Sequence, residues 1–191
     1  MRMSEGVEWA LHCCIELSRV DQERAVPAGR LAALYGLPPA YLNKQLQALG
    51  RAGIVSSAVG PRGGFRLARP PSEITLLDVV VAIEGAEPAF QCADITHRGH
   101  AGTIVAKSLR GRADRRVPCA VSQAMRFAEL TWRRHLAART VAEVRVVAEG
   151  FAPTSGDRIR DWLTTPSPPT NHSATNHSAT RTTTENRRAQ P

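Results

Sequence analysis

Apolar residues repeat along this chain at two different periods. Between residues 27 and 52 they fall three and four apart, with Leu31 and Leu34 in one short run and Leu42, Leu46 and Leu49 in the next. That spacing predicts two short amphipathic helices. Gly36 stands where a C-terminal cap belongs, and Pro27 and Pro39 suit first helical turns, so a tight turn is expected between the two. Downstream the period shortens to two. Ile54 and Val55 form one short strand, Phe65 and Leu67 alternate in a return strand, and Gly60-Pro61-Arg62-Gly63-Gly64 joins them as the tip of a hairpin. The helical period then returns in Leu76, Leu77, Val79, Val80 and Ile83, behind a Thr75/Asp78 cap. A polar, glycine-containing loop from Gln91 to Val117 follows. Pro118 opens a longer run through Met125, Phe127, Leu130, Trp132 and Leu136, and Thr140 with Glu143 forms a capping box for one more helix.

The first helix raises a chemical question. Val7, Ala10, Leu11 and Cys14 make its apolar stripe, while Glu8 and His12 lie one turn apart on a polar row. Residues four apart stack on one side of a helix, so these two can aim an oxygen and a nitrogen at a common object, water or a metal. Cys14 reads as core. Cys13, on the row of Trp9, is a minor candidate for a reactive thiol or a spare ligand.

Composition narrows the choices. At 191 residues and 42% hydrophobic, the chain is expected to hold one folded unit and a tail. Glu5, Glu8 and His12 interrupt any apolar leader at the start, and the most apolar run, LLDVVVAIEG, contains Asp78 and Glu84 and is too short to cross a bilayer. No membrane association is expected, and the compartment is read as cytoplasmic. Thiols stay reduced there, so the four cysteines are read as buried, reactive or metal-binding rather than as disulfides.

The net charge of +8 is unevenly placed. Residues 24–72 carry seven basic side chains, Arg24, Arg30, Lys44, Arg51, Arg62, Arg66 and Arg69, and no Asp or Glu. A segment of one sign attracts polyanions. Opposite its leucines, the second helix of the pair offers Ala40, Tyr41, Asn43, Lys44 and Gln47. Such side chains bond phosphates and base edges, and a helix of this width fits the major groove of double-stranded DNA. Arg62 stands at the hairpin tip, where a narrow minor groove holds a guanidinium. No Walker, Rossmann or HExxH pattern is present, so an enzyme is not expected.

The stretch PPAYLNKQLQALGRAGIVSSAVGPRGGFRLARPPSEITLLDVVVAIEG resembles the Rrf-two type winged-helix transcription regulators, and the likeness runs from about Met1 to about Glu149. The opening GVEWALHCC looks closest to a redox-sensing actinobacterial member. The resemblance implies a homodimer on a palindromic operator and, in many members, an iron–sulfur cluster that controls DNA affinity. It implies a mainly α fold with a small β-wing: a winged helix-turn-helix at 1–72, and a cluster-binding loop with dimerisation helices at 73–150. Residues 151–191 are expected to be a flexible, largely disordered tail, the stretch from Thr164 onward carrying the tandem repeat NHSAT-NHSAT and no apolar periodicity.

Cluster-bearing members typically place three cysteines in the loop before the long helix. Here Cys92 and Cys119 flank that loop and the middle one is missing. Two thiolates leave a [2Fe–2S] cluster short of two protein ligands. On the resemblance, Glu8 and His12 complete the set, His97, His100 and Asp94 are competing donors, and Trp9 is placed to relay a change in cluster charge. The alternatives are a cluster-free, thiol-based regulator and a zinc-binding regulator of the same fold.

Overall fold

Helix α1 (Glu5–Leu17) is the hub of the core, packing against α3 (Pro39–Arg51), α4 (Leu76–Glu84) and α7 (Val141–Phe151). The structure is a computed structural model that describes residues 3–60, 63–108 and 119–165. With neighbours on several sides, α1 buries Gly6, Val7, Ala10, Cys13, Cys14 and Leu17, a sector wider than the predicted stripe. Cys13 therefore belongs to the core, which removes it as a candidate for an accessible thiol.

The helix pair forms as its spacing predicts. Helix α2 (Ala28–Tyr35) ends on Gly36 at φ 63°, a left-handed cap that glycine takes without steric cost. Pro39 opens α3, and Leu42, Leu46 and Leu49 are completely buried, each stabilising by roughly 1.5–3 kcal/mol. Strand β1 (Val55–Ala58) pairs antiparallel with β2 (Gly64–Leu67), Val55 opposite Leu67 and Ala58 opposite Gly64. Val26 and Phe65 exchange two backbone hydrogen bonds of 2.8 Å, which tie the wing to the segment before α2. A Cβ at position 64 would stand 2.3 Å from the Val26 carbonyl oxygen, so this approach requires Gly64.

Both predicted capping boxes are made, Thr75 with Asp78 on α4 and Thr140 with Glu143 on α7. They lie side by side, because the Leu76 amide donates to Arg139 O and the Val141 amide donates to Ile74 O, each at 2.9 Å. The long helix α6 (Ala120–Ala137) starts where expected, with Cys119 as its N-cap. Arg133 fastens it to the end of α4, meeting Glu129 at 2.9 Å and donating to the carbonyls of Ala86 and Glu87. Apolar side chains stay uncovered on both helices: Val121, Met125, Phe127 and Leu130 on α6 are exposed, as are Val146, Val147 and Phe151 on α7.

Two expectations need correction. The Gln91–Val117 stretch is not all loop, since α5 (Gly99–Ser108) lies within it, following a short 3-10 turn at Ile95–His97. Gly102 sits so close to this turn that a Cβ would meet the His97 carbonyl oxygen at 2.5 Å. The segment expected to be a tail also begins with structure. Helix α8 (Ser155–Thr164) buries Leu163 in the core. The NHSAT repeats lie outside the described residues, as do Arg62 and Pro118. No helix among the described residues is long and apolar enough to cross a membrane.

Candidate nucleic-acid interface and metal-ligand positions

The outward face of α3 follows from its leucines. With Leu42, Leu46 and Leu49 turned inward, Ala40, Tyr41, Lys44 and Gln47 are exposed and Asn43 is half-buried. Gln45 of the same helix is buried where a Cβ on Gly6 of α1 would meet its side chain at 2.8 Å. Helix α3 is thereby seated on α1, and four of its five candidate DNA-contacting residues are presented to solvent.

Helix α1 puts Glu8 and His12 in solvent and both of its thiols in the core. Burial pushes the Cys13 thiol up to about 12, with the Glu16 carboxylate adding to the shift, and burial beside Cys13 pushes Cys14 up as well. Neither is a thiolate at neutral pH. Among the described residues no cation pairs with Glu8, and Arg2 lies outside them. His12 leans on Tyr35, the last residue of α2, with ring centroids 5.3 Å apart. The Tyr35 hydroxyl donates to Glu16 Oε1 at 2.9 Å. Glu16 pairs with Arg19 at 2.8 Å, and Arg19 reaches Glu149 on α7 at 2.7 Å. Burial and the Glu16 carboxylate push the Tyr35 phenol up, so it remains a proton donor. Trp9, between the two candidate ligands, meets Tyr41 of α3 edge to face at 5.7 Å. The two tyrosine contacts join residues on different elements, 23 and 32 positions apart in the chain, so helical spacing carried no sign of them.

The other two candidate ligands stand on either side of α5. Cys92 is exposed, on the wall of a groove of about 430 Å³ that Ser122, Arg126 and Glu129 of α6 also line. Cys119 is half-buried, and its Sγ accepts a 3.4 Å hydrogen bond from the Ser122 amide. Of the competing donors, His97 is engaged through Nδ1 with Asp94 Oδ1 at 2.6 Å. Among the described residues no three His, Cys, Asp or Glu side chains converge within the chain. Iodoacetamide at neutral pH should therefore label Cys92 and Cys119 in the metal-free native protein and spare Cys13 and Cys14 until it unfolds, as peptide mass mapping can read. Early labelling of Cys13 would contradict its place in the core.

The sequence model of the family described as "Rrf2: Iron-dependent Transcriptional regulator" matches residues 3–146. Over 91 residues the chain is 34% identical to YwgB of Bacillus subtilis (strain 168), named as an HTH-type transcriptional regulator, covering 48% of this chain and 58% of that protein. This chain thus spans little more than half the length of YwgB. Over 144 residues it is 30% identical to YffB of Lactococcus lactis, another protein named as an HTH-type transcriptional regulator, covering 75% of this chain and 86% of that one. Among solved structures, CymR (YrzC), the global cysteine regulator of B. subtilis, superposes with a TM-score of 0.56 over 77% of this chain and 98% of its own, at 20% identity. That last likeness is one of fold.

Proposed function

Because this chain belongs to the Rrf2 family of transcriptional regulators, and is a regulator rather than an enzyme, we propose that it is a homodimeric cytoplasmic repressor whose affinity for a palindromic operator is set by the redox state of a [2Fe–2S] cluster. One observation carries the cluster reading. Helix α1 turns both thiols inward and leaves an imidazole and a carboxylate outward, while the two accessible thiols flank α5. Glu8, His12, Cys92 and Cys119 are four donors, the number a diiron site needs once bridging sulfides fill the other positions. No three of them meet in one protomer, which favours an α1 pair donated by the partner subunit. The uncovered apolar side chains of α6 and α7 supply the matching reason for two copies to associate.

When bound, the cluster supplies a one-electron couple whose reduction adds one negative charge beside α1. The donor types make its two irons unequal, since imidazole in place of thiolate raises the potential and a carboxylate favours the oxidised metal. Glu8 and His12 would hold the group on α1. Trp9, one residue from Glu8, would carry a change of charge there to Tyr41, on the α3 face proposed to contact DNA. Oxidised protein then binds operator more tightly than reduced protein. Purification without oxygen, an absorption spectrum, and iron and sulfide counts test the assignment. Colour with about two of each per protomer supports it. Colourless protein holding zinc would replace it with the zinc reading, and colourless metal-free protein with the thiol-based one.

At the interface itself, Lys44→Ala should weaken binding to all duplexes and flatten the dependence of log K on log salt by about one unit. Gln47→Ala should instead alter the ranking of operator variants, because a base-edge contact carries sequence information and a phosphate contact does not. Unchanged affinity and slope for Lys44→Ala would remove it from the contact set.

A further inference from the structure

Two of the seven cations in the acid-free segment are turned toward α8. Arg24 donates through Nη2 to the carbonyl of Thr164. Arg30 donates to the carbonyl of Trp162, through Nε at 3.0 Å and also through Nη2. Its guanidinium lies over the Trp162 ring, 4.7 Å from the centroid. Both acceptors belong to the last turn of α8, where carbonyls lack partners inside the helix and the negative end of the helix dipole faces outward. Between them Leu163 is buried in the core, and at the other end of α8 a Cβ on Gly156 would lie 2.4 Å from Arg19 Nη1. The helix is thus docked along its length. It also falls wholly beyond the family match, which stops at residue 146.

Arg30 sits in the first turn of α2, the leading helix of the helix-turn-helix, and that helix crosses the DNA backbone in such motifs. Arg24 is on the segment leading into it. A guanidinium fork that donates to carbonyl oxygens is equally suited to phosphate oxygens, and binds the charged ones more strongly. We propose that Arg24 and Arg30 form a DNA phosphate-binding pair that α8 holds closed, the carbonyl oxygens of Trp162 and Thr164 standing in for phosphate oxygens. DNA and α8 then compete for the same two side chains. Linkage makes the effect reciprocal: duplex loosens α8, and loosening α8 tightens duplex. The device damps sequence-independent affinity, because phosphate contacts carry that term. It depends on DNA binding and not on the cluster.

The decisive measurement uses the unmodified full-length chain. Amide hydrogen exchange in α8 is followed with and without a duplex of unrelated sequence at low salt, and exchange several-fold faster with DNA is expected. Protection that is unchanged or increased would overturn the proposal. A second test releases α8 in the full chain with Trp162→Ala plus Leu163→Ala, with circular dichroism reporting whether the fold survives; if it does not, the exchange experiment decides alone. The folded variant should bind duplex about tenfold more tightly near 50 mM salt, with a salt slope steeper by up to about two units. Adding Arg24→Gln and Arg30→Gln should cancel that gain, while the same pair should change little in the wild-type background. An α8 variant that binds no more tightly, or arginine substitutions that weaken both backgrounds equally, would show that α8 and DNA do not compete.

Discussion

Cys92→Ala and Cys119→Ala should each abolish the visible absorption of protein purified without oxygen, and with it any difference in operator affinity between oxidised and reduced samples. Each substitution removes one of only two accessible thiols among the described residues, since Cys13 and Cys14 lie completely buried on the core side of α1. Neither can turn outward to substitute without leaving a cavity, which costs several kcal/mol for a buried side chain of moderate size. Glu8→Ala and His12→Ala should instead shift the spectrum and weaken cluster retention. Oxygen and nitrogen donors from water or a nearby residue can partly replace them. A full, unshifted spectrum from the Glu8→Ala/His12→Ala double variant would move those two ligands to the loop. His100 would then be the stronger candidate, because His97 is already held by Asp94. Equal operator affinity for the two redox states of the wild type would leave the site standing and sink the switch.

Met125→Asp should convert the dimer to a monomer and cost the protein its operator affinity. Met125 lies one turn from Val121 on an uncovered part of α6, and is 42% exposed in the protomer. In a dimer built on that face the new carboxylate would be buried without a partner, a penalty of roughly 3–5 kcal/mol. The protomer itself should fold, because the side chain reaches water when the partner is gone. Operator binding then falls steeply, since two recognition helices held about one helical turn apart share a single cost of association that separate monomers meet twice. Light scattering at micromolar concentration, read beside a mobility-shift titration, separates loss of assembly from loss of fold. A wild-type monomer at that concentration would remove the basis for a palindromic operator.

The cysteines show why one half of the site reading was easier than the other. That Cys119 begins α6 follows from local signals, the apolar run behind it and the polar stretch before it, and it caps that helix in the structure. That Cys13 is as buried as Cys14 does not, because a stripe drawn at helical spacing assumes a helix with one covered side. Helix α1 has α3, α4 and α7 around it. The same distinction separates α5 and α8 from the helices that were expected. Both are short and rich in glycine or charge, α8 with only Ile159, Trp162 and Leu163 to mark an apolar side, and each is held by contacts from elsewhere: the 3-10 turn at Ile95–His97 behind α5, and Arg19, Arg24 and Arg30 around α8.

What the sequence by itself determined is everything set within a turn or two of the chain: the spacing of Leu42, Leu46 and Leu49, the left-handed cap at Gly36, the capping boxes at Thr75 and Thr140, and the hairpin that makes the wing. These depend on backbone geometry and on side chains three or four positions apart, so they can be read without knowing what lies across the core. Only the tertiary structure decided that Trp9 meets Tyr41, that His12 leans on Tyr35, and that two arginines of an apparently open basic segment are bonded to α8. Such pairs are chosen by how whole elements pack and by which buried or unsatisfied groups need a partner, and neither condition leaves a period in the sequence.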